Sequence, residues 1–257
     1  MISYWGADND GLSEKEAENH MKLGIMQPYF LPYLGYYSII KQVDRYIFFD
    51  TSQYIYHGWV NRNRILKQGG TDWQYINVPV QKHAREYAIK DVKIDNSQNW
   101  RGKLMGQLYH YSKRAPYYAS VTSMLSENLT ETYATIGDLN VSLDMAICKY
   151  LGINTPMERF SEMGLSICDV TSPDEWALRI CEALGNVDEY WNAPGGAEFF
   201  DRNKYERAGI QLRFEKMRLH PYPQLGGNFI HGLSILDAMM FNAPEKIRSM
   251  LDDYEFI

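Results

Sequence analysis

Hydrophobic positions in the first part of the chain come in short, dense runs. LGIMQP, from Leu23, is one, and RYIFFD, ending on Asp50, is a second that is aromatic and β-branched. Both read as buried strands. Between them lies YFLPYLGYYSIIKQV, where Pro32 suits a first helical turn and the later apolar residues recur at helical spacing. The pattern predicts strands over about 22–28 and 45–50, adjacent and parallel, with a helix between them. TSQYIYHGWVNRNRIL is polar and aromatic and reads as a functional loop with a short strand or turn. WQYINVPV and YAIKDVKI read as two more strands, separated by QKHARE.

From Asn96 the period becomes helical. NWRGKLMGQLYHYSKR reads as one helix ending before Pro116, YYASVTSMLSENL as a second, and TIGDLNVSLDMAICKYLG as a third closed by Gly152. MERFSEMG holds a strand. SPDEWALRICEALG has Ser172 as cap, Pro173 in its first turn and Gly185 past its end. EYWNAPGGAEFF joins a short strand to a helix through a glycine pair, and IQLRFEKMRL is a strand. FIHGLSILDAMMFN and PEKIRSML are the last helices. The sum is an α/β fold: an open, mostly parallel sheet starting with a βαβ unit, with helix-rich middle and C-terminal parts. No internal repeat or low-complexity linker interrupts it. The expected organisation is an acidic extension over residues 1–20 and one α/β domain over 21–257. Ser13 and Glu16 form a capping-box pattern that opens a short helix in the extension.

Composition narrows the classes. A net charge of −6 argues against a large nucleic-acid surface but leaves room for a few arginines in one cleft. No apolar run approaches the roughly 18 residues of a membrane helix, and the first twenty residues lack a secretory pattern, so a cytoplasmic protein is expected. The three cysteines, Cys148, Cys168 and Cys181, show no CxxC spacing, and no HxxxH pair occurs. Neither a disulfide frame nor a structural metal is expected. The 20 tyrosines suit polar ligands such as sugars, and equally suit half-buried packing.

Three constellations carry candidate chemistry. In QPYFLPYLGY, Gln27, Tyr29, Tyr33 and Tyr36 sit between strand and helix, where open α/β sheets bind ligands and helix N–H groups meet anions. The turn is similar to the strand–HxGH–helix turn of nucleotidyltransferases, with Tyr33 and Tyr36 in place of histidines. The same residues would also simply shape and pack the turn. In the second, Asp50, Gln53 and Tyr54 precede Asn61-Arg62-Asn63-Arg64, a run dense in donors. At strand spacing Asn61 and Asn63 share one face, and Arg62 and Arg64 the other. A backbone turn at Asn63 would let one arginine enter a cleft as anion ligand while the other stays in solvent. In the third, His220 opens a proline- and glycine-marked loop with Tyr222 and Gln224, and its near-neutral titration suits a general base. Ser234 and Asp237 share one side of a helix, where Ser234 is equally an N-cap. Gly195 and Gly196 would bring backbone N–H groups to an oxyanion or simply make a tight connection. The three stretches are expected to line one cleft.

Taken together, MQPYFLPYLGYYSII, the D-x-x-QY of Asp50–Tyr54, GWVNRNRI, the VPV of 78–80 and LSILDAMMFNAPE resemble the WbqC-like family, in order, from Lys22 to the C-terminus. The resemblance implies a role in bacterial surface polysaccharide biosynthesis, especially O-antigen clusters. It implies an acyl- or aminoacyltransferase, with glycine as one transferred group, acting on a nucleotide-linked amino sugar. The donor would be an acyl thioester, an acyl carrier or an activated amino acid, and no tightly bound cofactor is expected. His220 or Asp50 would act as base, and donors near Asn61 or Gly196 would hold the oxyanion. The alternatives are a nucleotidyltransferase-like enzyme and a non-catalytic sugar-nucleotide or glycan-binding accessory protein.

Overall fold

The computed structural model describes residues 20–257, so the expected helix at Ser13 and nearly all of the acidic extension lie outside the described residues. The chain opens with β1 (Met21–Met26), α1 (Leu34–Gln42) and β2 (Arg45–Phe48), then a hairpin of β3 (Arg62–Leu66) and β4 (Trp73–Asn77). Three helices follow: α2 (Trp100–Leu108), α3 (Tyr118–Asn128) and α4 (Ile136–Leu151). Next come β5 (Met157–Arg159), α5 (Glu175–Leu184), β6 (Val187–Asn192), α6 (Arg202–Arg207) and β7 (Gln211–Met217). The chain closes with α7 (Ile235–Phe241), α8 (Pro244–Met250) and β8 (Tyr254–Phe256).

Six strands form one sheet in the order β5-β2-β1-β6-β7-β8, parallel except for β8. The expected βαβ opening is present, with Leu23 opposite Arg45 and Met26 opposite Phe48. From β1 the chain builds outward through β2 to β5, then returns to the other side of β1 with β6. That reversal makes the β1/β6 boundary a topological switch point, whose crevice lies beyond the carboxyl ends of the two strands.

Alternation along the strands feeds two cores. Leu23, Ile25, Tyr190 and Phe214 pack with α5 residues such as Leu178 and Ile180. Met26, Tyr46, Phe48 and Trp191 face the larger core built from α1, α4 and α7. Gly24 of β1 makes room for the Tyr46 ring of β2, 2.8 Å from where a Cβ would stand, and for Ile39 of α1, 3.4 Å from it. Among the described residues, no helix is long and apolar enough to cross a membrane.

Several local expectations need correction. YAIKDVKI is not a strand; Ile89–Asp91 make a 3-10 turn, and Ile94 reaches Val80 only by an isolated bridge. No neighbouring strand is available to it, and Ile89, Val92 and Ile94 are buried as loop anchors instead. β4 stops at Asn77, before Pro79, which has no N–H for the ladder. The helix expected over FIHGLSILDAMMFN starts only at Ile235, because Gly232 has φ +67° and Ser234 caps with its hydroxyl, accepting from the Leu236 amide. The glycine pair itself lies in a 3-10 turn, Pro194–Gly196, and α6 begins later, capped by Asp201. β8 was not foreseen, being three residues at a sheet edge.

Candidate functional site

A cleft of about 1080 Å³ opens at the switch point. One side is the turn from β1 into α1. Leu31 there is buried with φ +47°, an uncommon conformation for a non-glycine residue. The turn is held in place: the buried Asn63 side chain donates to the carbonyls of Phe30 (3.0 Å) and Leu31 (2.9 Å). Asn140 donates to those of Pro28 (3.0 Å) and Val60 (2.7 Å). Gln27 donates to the Ser52 hydroxyl at 3.0 Å and accepts from the Tyr29 hydroxyl at 3.2 Å, while Tyr36 donates to the Gln27 carbonyl at 2.9 Å. The polar turn is therefore preorganised before any ligand enters.

The cleft's charge is one-sided. Among the described residues no carboxylate lines it, and Arg64 and His231 are its basic side chains. The Arg64 guanidinium lies over the Trp59 ring at 5.4 Å and the Trp73 ring at 5.2 Å and donates to the Gly232 carbonyl at 3.0 Å. Its Nε is buried without a partner. The start of α1 is beside it, since the Ser234 amide donates to the Arg64 carbonyl and the Ile235 amide to that of Pro32, each at 2.8 Å. That helix start has no side-chain cap and no acidic residue in its first turn, so its first amides and positive dipole end carry no side-chain partner, and Pro32, Tyr33 and Tyr36 around it line the cleft.

The opposite wall is aromatic and is built from the end of β2, from α5 and from the segment after β6. Phe49 and Trp176 meet with ring centroids 5.8 Å apart, and Phe199 is 54% exposed at the rim. Gly195 and Gly196 line this wall, together with Asn192 and Ala193. Gly196 has a packing reason to be glycine: a Cβ would stand 3.0 Å from Phe200 and Phe214.

The candidate residues divide accordingly. Gln27, Tyr29, Tyr33, Tyr36, Gln53, Asn63, Arg64, Gly195 and Gly196 line the cleft. Asn61 does not, and donates instead to the Val78 carbonyl at 2.9 Å. Arg62 is engaged by the His57 and Gly58 carbonyls and lies over Tyr75 at 4.5 Å. The two arginines part company without the expected turn at Asn63. β3 is regular, with Arg62 opposite Asn77 and Arg64 opposite Tyr75, and only the second position reaches the cleft. Tyr54 is buried against Tyr56 and His83.

Asp50 is buried and structural in its contacts. Its carboxylate accepts from the Ser161 amide at 3.0 Å and hydroxyl at 2.6 Å. His220 is exposed and turned to Asp253, 2.5 Å away, which holds the Asp253 carboxyl below its ordinary range. Neither proposed base lines the cleft. Tyr222 (2.8 Å) and Gln224 (2.7 Å) both donate to the buried Asp237, as does Tyr111 (2.8 Å), so that carboxylate ties the loop to the body. Burial raises the Asp237 carboxyl above its usual range, against these three donors. Trp73, Trp176 and Phe199 carry no signal in the sequence, although Trp176 and Phe199 are large aromatics left partly bare. Among the described residues, no group of three or more His, Cys, Asp or Glu is placed to hold a metal.

The topology and crevice define a doubly wound α/β protein with a cleft at its switch point. Within that class the chain belongs to the WbqC-like protein family, whose model matches residues 27–249. It is also similar to the Uncharacterized protein Rv1507c of Mycobacterium tuberculosis (strain ATCC 25618 / H37Rv). The two are 30% identical over 234 residues, which cover 88% of this chain and 97% of that protein. No solved structure matches the chain.

Proposed function

We propose that the cleft binds a nucleotide-linked sugar and serves acyl or aminoacyl transfer onto it, in bacterial surface polysaccharide biosynthesis. The observation that carries the binding step is Arg64: a guanidinium held between two tryptophans, facing a cleft without carboxylates, beside an uncapped helix start. A pyrophosphate would take its charge-assisted bonds there. Base and sugar rings would lie against Trp59, Tyr29 and the Phe49–Trp176 wall, where aromatic faces meet apolar ring surface. The sugar and the transfer step are supported by the family's association with surface polysaccharides. A cytoplasmic location agrees with use of a nucleotide-linked sugar as acceptor.

The acceptor amine would attack the carbonyl of an acyl thioester or activated amino acid, and amides at the start of α1 would meet the developing oxyanion. The nucleotidyltransferase reading is weaker: Tyr36, in a histidine's place, has its hydroxyl bound to the Gln27 carbonyl. The test is calorimetric titration of the full chain with UDP-glucosamine. Saturable 1:1 binding, accompanied by a change in tryptophan fluorescence, is expected. Incubation of the bound complex with acyl thioesters and aminoacyl esters should then give an amide product by mass spectrometry. Absence of binding overturns the reading, and binding without product from any donor leaves an accessory binding protein.

A further inference from the structure

Glu215, near the end of β7, is 2% exposed, and neither of its carboxyl oxygens has a hydrogen-bond partner. A carboxylate so placed is costly unless something reaches it. No cation does. The polar side chains near enough to influence it are Tyr33 at the start of α1, Ser38 of α1 and Tyr254 of β8. The Ser38 hydroxyl is given to the Leu251 carbonyl at 2.7 Å. On its own strand Arg213 is drawn to Glu189 of β6, 3.8 Å away, and to the Phe256 ring.

The register places this carboxyl next to the cleft, behind residues that line it. Gly24, Trp191 and Arg213 are partners across β1, β6 and β7. Two residues further along each strand, on the same face, come Met26, Ala193 and Glu215. Met26 and Ala193 line the cleft. Tyr33 lines the cleft and lies near enough to feel the Glu215 charge, and its ring is folded across Gly35, with atoms 2.5 Å from where a Cβ on Gly35 would be. Glycine at that position is what lets the ring lie there. No hydrogen bond ties the Tyr33 hydroxyl to another described residue, so packing alone keeps it in place.

We infer that Glu215 is the cleft's subsite for a basic nitrogen of the ligand, reached when the Tyr33 ring turns off Gly35. The inference rests on the nucleotide-sugar reading and adds which side chain receives the acceptor amine and takes its proton. Its ammonium would fill the two vacant acceptor positions, and one N–H proton would pass to Glu215. The freed lone pair then forms the C–N bond to the thioester carbonyl carbon. As the C–S bond breaks, the second N–H proton goes to the departing sulfur, and Glu215 returns its proton to solvent. Burial has already pushed the carboxyl up to about 7, which suits a group that takes and returns protons near neutrality.

The test is titration of the full chain with UDP-glucosamine and UDP-N-acetylglucosamine at pH 7, in two buffers of different ionisation enthalpy. Wild type should prefer the free amine about tenfold, with buffer-dependent heat for that ligand alone. In Glu215→Gln the ratio should fall to about one and the buffer dependence disappear. Glu215→Asp, which keeps a carboxyl one methylene short, should give an intermediate ratio and serves if the Gln variant does not fold. Tyr33→Ala, which uncovers the carboxyl, should keep the preference. An unchanged ratio in Glu215→Gln, or no preference in wild type, overturns the inference alone while both ligands still bind. If neither ligand binds wild type, the reading of the cleft fails and this inference falls with it.

Discussion

Replacing Glu215 with Gln should stabilise the protein above neutral pH and leave it unchanged in acid. In the folded chain burial raises this carboxyl from 4.5 to about 7, against a smaller lowering by the nearby Ser38 hydroxyl, which is itself donated to the Leu251 carbonyl and leaves both carboxyl oxygens without a hydrogen-bond partner. Unfolded, it titrates near 4.5. The folded state therefore holds the proton more tightly, and this group's contribution to stability is full below about pH 4.5. It declines by about 1.4 kcal/mol per pH unit as pH rises and is gone above about 7. The rise from 4.5 to about 7 amounts to on the order of 3 kcal/mol. Gln has no proton to lose and no charge to bury, so its variant lacks the slope. Asp144 and Asp237 are also raised by burial, but they are common to both proteins and cancel in the difference. Urea unfolding of both proteins at pH 4.5, 6, 7 and 8 measures this. The midpoints should coincide at pH 4.5 and differ by roughly 1 M at pH 8, with the variant more stable. Parallel curves at every pH, or a variant less stable at pH 8, would refute the picture of an unpaired buried carboxylate.

Asp237→Ala should cost about 3–5 kcal/mol, because it leaves two tyrosine hydroxyls and an amide without their buried acceptor; thermal unfolding should show it, and Asp237→Asn should lose less. Asn63→Ala should cost about 1–3 kcal/mol, the usual penalty of unmet buried carbonyls, and should weaken ligand binding as the Leu31 turn loosens. A variant that binds normally would mean the turn needs no clamp. His220→Ala should leave binding of UDP-glucose within about twofold of wild type, since the imidazole faces Asp253; a tenfold loss by calorimetry would return it to the site.

The parts legible in the sequence are those whose partners are near in the chain. β1, α1 and β2 follow one another, so apolar runs and a proline were enough to give their order and their parallel pairing. Likewise the turn from Gln27 to Tyr36 announces itself by its own tyrosines. The aromatic wall does not, because β6 comes to lie beside β1 from more than 160 residues away, bringing Ala193, Gly196 and Phe199 with it. His220 read as a base because Asp253 is supplied by the short approach to β8, which no periodicity marks. Asp237 shares a helix side with Ser234 as its spacing suggests, yet its carboxylate is held by residues up to 126 positions away. Alternation in β7 sets Glu215 opposite Phe214, on a face that strand pattern alone would leave to solvent and that α1 and β8 in fact cover.

The central claim is that a phosphate-bearing ligand meets Arg64 at the switch point, and calorimetric titration of Arg64→Ala and Arg62→Ala with UDP-glucose tests it most directly. Arg64→Ala should weaken binding by about 1.5–3 kcal/mol, the worth of hydrogen bonds to a charged group, or roughly ten- to a hundredfold. Arg64→Lys should recover only part of this, since an ammonium has no planar fork to lie between Trp59 and Trp73. Arg62→Ala, whose guanidinium is occupied by backbone carbonyls away from the cleft, should bind within about twofold of wild type. Equal losses from the two substitutions, or folded variants that both bind as wild type does, would contradict the account.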